Sequence, residues 1–175
     1  MDYQENFLES VRFELMKYKS YGEKTFAQLS EEDIHRKLSE ADNSIAIIVK
    51  HMVGNMLSRF TNFLTEDGEK PWRHRDVEFE DPYENMDTMM AAWQMGWDCL
   101  FVAMDSINKN NFDTHIKIRN EDHTVIEALT RQLAHYASHI GQIMLMGKMI
   151  KGSEWKSLSI PKGASEAFNK EKFEN

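Results

Sequence analysis

The chain has 175 residues, a mass of 20.5 kDa and a formal net charge of −8 at pH 7, with hydrophobic residues making up 41% of it. That length suits one domain, spanning 1–175, with room for a sizeable core, while 29 acidic against 21 basic residues exclude the basic footprint of a nucleic-acid binder. No apolar run approaches a membrane span, the acidic start MDYQENFLES does not read as a signal peptide, and the lone Cys99 rules out an internal disulfide and fits a reducing cytoplasm.

With only 8 Gly and 3 Pro, long stretches are free of helix breakers. The first predicted helix covers residues 3 to about 29, where Phe7, Val11, Leu15 and Tyr18 recur at helical spacing. Ser30 with Asp33 opens a short helical turn in SEEDIHRKL, whose His35 reads as solvated. A second long helix starts between Asp42 and Ser44 and runs to about Leu64, and Gly68 closes the region. Its core stripe is Ile45, Ile48, Met52, Met56, Phe60 and Phe63. His51 falls on the flank of that stripe, roughly 100° from its centre, near Ser44, Asn55, Ser58 and Asn62. Arg59 lies within the apolar arc. It either snorkels past the core or is held inside against an anion or carbonyl.

Residues 65–81, TEDGEKPWRHRDVEFED, form a long charged loop. Trp72, Arg73, His74, Arg75 and Asp76 crowd together there, and two readings stand: a solvated loop pinned by Trp72, or a lid over a cleft. The third long helix opens at DPYE, with Asp81 as cap, Pro82 at the first helical position and Glu84 completing the pair. Its buried face is Met86, Met89, Met90, Trp93, Trp97, Leu100, Met104 and Ile107, and Cys99 points away from it as a poor nucleophile. The period breaks at 111–123, where THIKI alternates and RNED can turn, giving a short hairpin or extended loop with solvated His115 and His123.

The last long helix, Thr124 to about Ile150, is the stretch around which the chain is organised. Thr124 and Glu127 fit a capping box. Ile126, Leu129, Leu133, Tyr136, Ile140 and Ile143 mark its core stripe. His135 and His139 sit one turn apart at the edge of that stripe, so both imidazoles leave the same side. They either are interfacial histidines satisfied by water and side chains, or hold two corners of a metal site completed from a neighbouring helix, with His51 as the candidate. Tyr136 stands where a zincin H-E-x-x-H needs its glutamate, so no metalloprotease base follows. The helix stops at Gly152. Residues 152–175 form a tail with Trp155 and a phenylalanine as anchors, which folds back over the domain or onto a partner chain. Four long helices make this an all-α, four-helix-bundle chain.

NSIAIIVKH at 43–51 with GNMLSRF at 54–60 resembles the second helix of the DinB/YfiT-like superfamily. RQLAHYASHIGQI at 131–143 resembles its last bundle helix with the H-x-x-x-H pair. KPWR at 70–73, IRNEDHTV at 118–125 and WKSLSIPKGASEAFN at 155–169 resemble a small bacterial branch of unknown function. The resemblance implies a bundle holding one divalent metal through His51, His135 and His139, often as a homodimer. Zinc or nickel comes first as the ion, with iron and manganese as alternatives. Asn55, Gln132 and Gln142 are candidate partners of the ligands, and Arg59 or Arg73, beside Trp72, candidate contacts for an anionic substrate. Better-understood relatives transfer low-molecular-weight thiols. The expected function is therefore a metal-dependent enzyme that activates a thiol or water against a small electrophile. The alternative is a non-catalytic stress protein that binds a metal or ligand.

Overall fold

The computed structural model describes residues 2–80 and 83–174. The fold is an all-α bundle of four long helices, α1 (Tyr3–Phe26), α3 (Ile45–Phe60), α4 (Met86–Asp105) and α5 (Val125–Lys151). A five-residue helix, α2 (Glu31–His35), lies between the first two, and α6 (Ser165–Phe173) closes the chain. Two main pairs form, α1 against α5 and α3 against α4, and α3 also meets α5. No helix among the described residues is long and apolar enough to cross a membrane.

The helix starts follow local chemistry. Thr124 and Glu127 make the expected reciprocal box on α5, and Ser30 and Asp33, expected to open the short helical turn, do so through a box of the same kind on α2. Ser44 caps α3 by accepting from the Ile47 amide. α4 begins later than the sequence reading has it. Asn85 is its cap and Thr88 the reciprocal partner. Glu84 is exposed ahead of it, and the expected capping residues Asp81 and Pro82 lie outside the described residues. α1 ends at Phe26 rather than near 29, and α3 at Phe60 rather than Leu64. Asn62 takes a left-handed φ of 50°, which stops the second of these helices before the glycine is reached.

The predicted stripes form the core. All six expected residues of the second stripe, from Ile45 to Phe63, are buried, as are Trp93, Trp97, Leu100 and Met104 of α4. Trp93 packs edge-on to Phe26 at 5.1 Å and to Trp97 at 5.4 Å. Gly22 of α1 makes room for this tryptophan, since a methyl there would sit 2.7 Å from its ring. The stripe on α5 is one residue shorter than expected. Ile126 is 40% exposed at the first turn, where Val125, Ala128 and Leu129 take the buried positions instead, and Leu133 is half-buried.

The hairpin is real. β1 (Ile116–Ile118) pairs antiparallel with β2 (Glu121–His123), in register Ile116–His123 and Ile118–Glu121. Its two-residue turn, Arg119 and Asn120, has φ of 55° and 63°, the primed geometry a tight hairpin needs. Ile116 and Ile118 are buried and extend the core. His115 is exposed as expected, but His123 is not simply solvated: it is half-buried, and its Nε2 is enclosed without a hydrogen-bond partner among the described residues. The tail folds back on its own chain. Gln28, just past the end of α1, accepts from the Lys156 amide at 2.8 Å and donates to the Lys156 carbonyl at 3.2 Å. The Trp155 ring lies over Gly147, where an added methyl would meet it at 3.1 Å.

Candidate metal centre and its cavity

α3 and α5 face each other across a cleft, and three histidines meet in it. His51 comes from α3, and His135 and His139 from successive turns of α5. One ring nitrogen of each lies within 4.8 Å of the other two. Nε2 of His135 is 3.4 Å from Nε2 of His51 and 3.0 Å from Nε2 of His139. Ligand nitrogens on neighbouring corners of a tetrahedral zinc site stand about 3.3 Å apart, given bonds of ~2.0–2.1 Å.

The outer ring nitrogens decide what the inner ones are. His51 Nδ1 lies 2.9 Å from a carboxylate oxygen of Glu78 and donates its proton there. His139 Nδ1 lies 3.0 Å from Gln142 Oε1 and donates likewise. A neutral imidazole with its proton on Nδ1 carries a lone pair on Nε2. Two lone pairs therefore converge on His135 Nε2, which has at most one proton to share between them. A cation at the centre would satisfy all three nitrogens. The electrostatics agree. Burial, then the facing His139 and His51 and the neighbouring Arg73 and Arg59, push the His135 pKa down to about 3. Burial also lowers His139, against the Gln142 hydrogen bond. Both rings are thus neutral at pH 7, the form that ligates a metal.

Glu78 was not singled out by sequence reasoning, yet it organises one wall. It sits on a 3-10 turn (Asp76–Phe79) inside the long loop and is buried. Arg73 grips it from the other side through Nε at 2.8 Å and Nη2 at 3.0 Å. Burial alone would raise the Glu78 carboxyl, but the hydrogen bonds from His51 and Arg73 prevail and hold it below the usual range. The approach depends on Gly54, three residues after His51 on α3. A methyl there would fall on the Glu78 carboxylate. Phe79 of the same turn packs on the His51 ring at 4.9 Å between centroids. The signal in sequence was available only in principle: a ligating histidine needs an acceptor for its outer N–H, but nothing in DVEFE says which of its acids turns inward.

The other expected residues divide. Asn55 is buried and accepts from the Tyr136 hydroxyl at 2.9 Å. Burial holds that phenol neutral by raising its pKa. Gln142 is the His139 partner. Arg59 does not snorkel. It is buried and donates to the Gly68 carbonyl and, at 3.0 Å, to Glu69. Arg73 is committed to Glu78. Trp72 is not brought into the site: it is 51% exposed, so it cannot pin the loop as the solvated-loop reading requires. The loop is instead a wall, fixed by Arg73 and Glu78, and Cys99 lies elsewhere, 3.7 Å from Thr61 Oγ1.

A cavity of about 210 Å³ opens beside His51 and His135. Asn55, Arg59, Arg73 and Gln132 line its inner part, and Arg75, Arg119 and Arg131 its outer part. Gln132 is only 3% exposed, and its Oε1 has no donor among the described residues. Sequence reasoning placed Arg75 in the lid reading of the loop but did not single out Arg119 or Arg131, which come from two further segments.

No curated protein and no solved structure matches the chain. A family model does, over residues 2–164, and the chain belongs to the family it describes as "Protein of unknown function (DUF1572)".

Proposed function

We propose that this protein is a divalent-metal-dependent enzyme of the DinB-like kind, in which His51, His135 and His139 hold one ion. The observation that carries the reading is the enforced tautomer of two rings. Glu78 and Gln142 take the outer protons of His51 and His139, and turn two lone pairs toward His135 Nε2. Three imidazoles suit zinc or nickel best, then iron or manganese. The bound ion would supply Lewis-acid chemistry, activating a low-molecular-weight thiol or a water against a small electrophile. The chain's own residues then have defined tasks. Glu78 fixes the His51 ring, Arg73 fixes Glu78, and Asn55 is held by Tyr136 at the cavity wall.

The open cavity favours an enzyme over a storage or stress-binding role, because an ion kept only for sequestration needs no adjoining space. The deciding experiment is elemental analysis of purified wild type against His135→Ala. About one equivalent of a divalent ion in the wild type, lost in the variant, is expected. Equal content in both would sink the metal centre. Turnover of a panel of electrophiles with and without an added thiol then separates enzyme from binder. A homodimer goes with this reading, and sedimentation of the purified protein checks it.

A further inference from the structure

The cavity carries an excess of positive charge that the rest of the chain lacks. Five arginines line it in a protein whose net charge is −8. The inner two are committed. Arg59 donates to Gly68 and Glu69, and Arg73 forks onto Glu78. Glu69 also receives Arg119 Nε at 3.1 Å. Two carboxylates thus serve three guanidinium groups and the His51 ring, before the mouth is considered.

At the mouth, Arg131 and Arg75 are the available donors. Arg131 is exposed on α5, one turn ahead of His135 and so on the same helix face. It has no carboxylate partner among the described residues. Arg75 lies over the Phe79 ring at 5.1 Å, which orients its guanidinium. Its one ion-pair partner among the described residues, Asp76, is 3.9 Å away and almost fully exposed. The same cavity is lined by Gln132, more than nine-tenths buried, with an acceptor oxygen lacking a donor among the described residues.

We propose that this cavity is an oxyanion-binding site: Arg75 and Arg131 clamp the carboxylate or phosphate of a small metabolite, and Gln132 accepts from a hydroxyl or amine beside it. The cavity is below the ~300–1,000 Å³ of pockets for drug-sized ligands, so the occupant is small. Its place beside the ion rests on the metal-centre reading above; the clamp itself does not.

The test is calorimetric titration of full-length protein of measured metal content with inorganic phosphate, with succinate and with the uncharged succinamide. Wild type, Arg75→Gln/Arg131→Gln and His135→Ala are compared. Wild type binds at least one of the two anions and not succinamide. The double arginine variant, altered only at exposed positions, keeps its metal and loses about tenfold or more in affinity. The tighter anion names the oxyanion. Equal affinity of wild type and arginine variant overturns the clamp, as does wild-type binding of succinamide on a par with succinate, or of neither anion. Binding abolished by His135→Ala but indifferent to the arginines overturns it too, since the anion then sits on the ion. Arginine-dependent binding in a protein that proves metal-free upholds the clamp and removes the metal centre alone.

Discussion

α3 has two seams, and they are built on opposite principles. Against α4 it closes through apolar side chains and a glycine: Gly96 lets Met56 and the Val53 backbone come within ordinary contact, where a methyl would be 3.2–3.4 Å away. Against α5 it is wedged open by His51, Asn55 and Arg59, facing Gln132, His135 and His139. The first seam supplies burial, at roughly 25 cal/mol per Å² of apolar surface. The second buries polar groups, most of which are held by a partner, with the Gln132 Oε1 left over among the described residues. Stability and chemistry are thus carried on two sides of one helix.

The largest effect should come from breaking the apolar side. Trp93→Ala removes a fully buried indole packed on Phe26 and Trp97, and should cost about 3–5 kcal/mol in denaturant unfolding. A loss under 1 kcal/mol would mean that the core is organised elsewhere. On the polar side, Glu78→Gln should leave stability closer to wild type but weaken metal binding by about 10–100-fold, measured by competition with a chromophoric chelator. Gly54→Ala sharpens the contrast. Alanine favours the helix by about 1 kcal/mol, yet its methyl displaces Glu78. Reduced metal affinity without a matching loss of helix content is expected. Unchanged affinity would show that Glu78 does not hold the ring.

A smaller effect tests the frame around the polar side. Asp67 accepts the backbone amides of Glu69 at 2.7 Å, Arg119 at 2.8 Å and Asn120 at 2.7 Å, tying the loop to the hairpin turn. Partial burial opposes its ionisation, but those amides prevail and hold its pKa below the usual 3.8. Its contribution is therefore present above pH 3.8 and fades as pH falls through the lower folded value. Asp67→Asn should cost about 1–2 kcal/mol at pH 7, and the difference from wild type should shrink in acid. The smallest change is Thr124→Ala at the α5 cap, expected at about 1 kcal/mol with metal content unaltered.

The two sides were also unequally legible in sequence. The apolar stripes, the Ser30 and Thr124 boxes and the hairpin follow from periodicity and spacing, which are local. The paired histidines of α5 were visible for the same reason, and His51 because it sits on a stripe flank. Glu78 and Arg119 were not, since their roles arise from long-range packing of a loop and a turn that have no period, and Arg131 on α5 reads as an ordinary exposed helix residue until that packing is seen. The start of α4 was misjudged because DPYE and Asn85 both offer capping chemistry, and Asn85 with Thr88 takes it.

Glu78 serves two masters, and this ties the His51 ring to the loop. Swinging the segment 73–79 away as a flap would carry the Arg73–Glu78 fork with it and leave the His51 ring without its acceptor, free to rotate. With that segment in place, the cavity beside His51 and His135 is bordered by the guanidinium groups of Arg75, Arg119 and Arg131, so the ring's fixed orientation and a cationic approach to it come as a single arrangement.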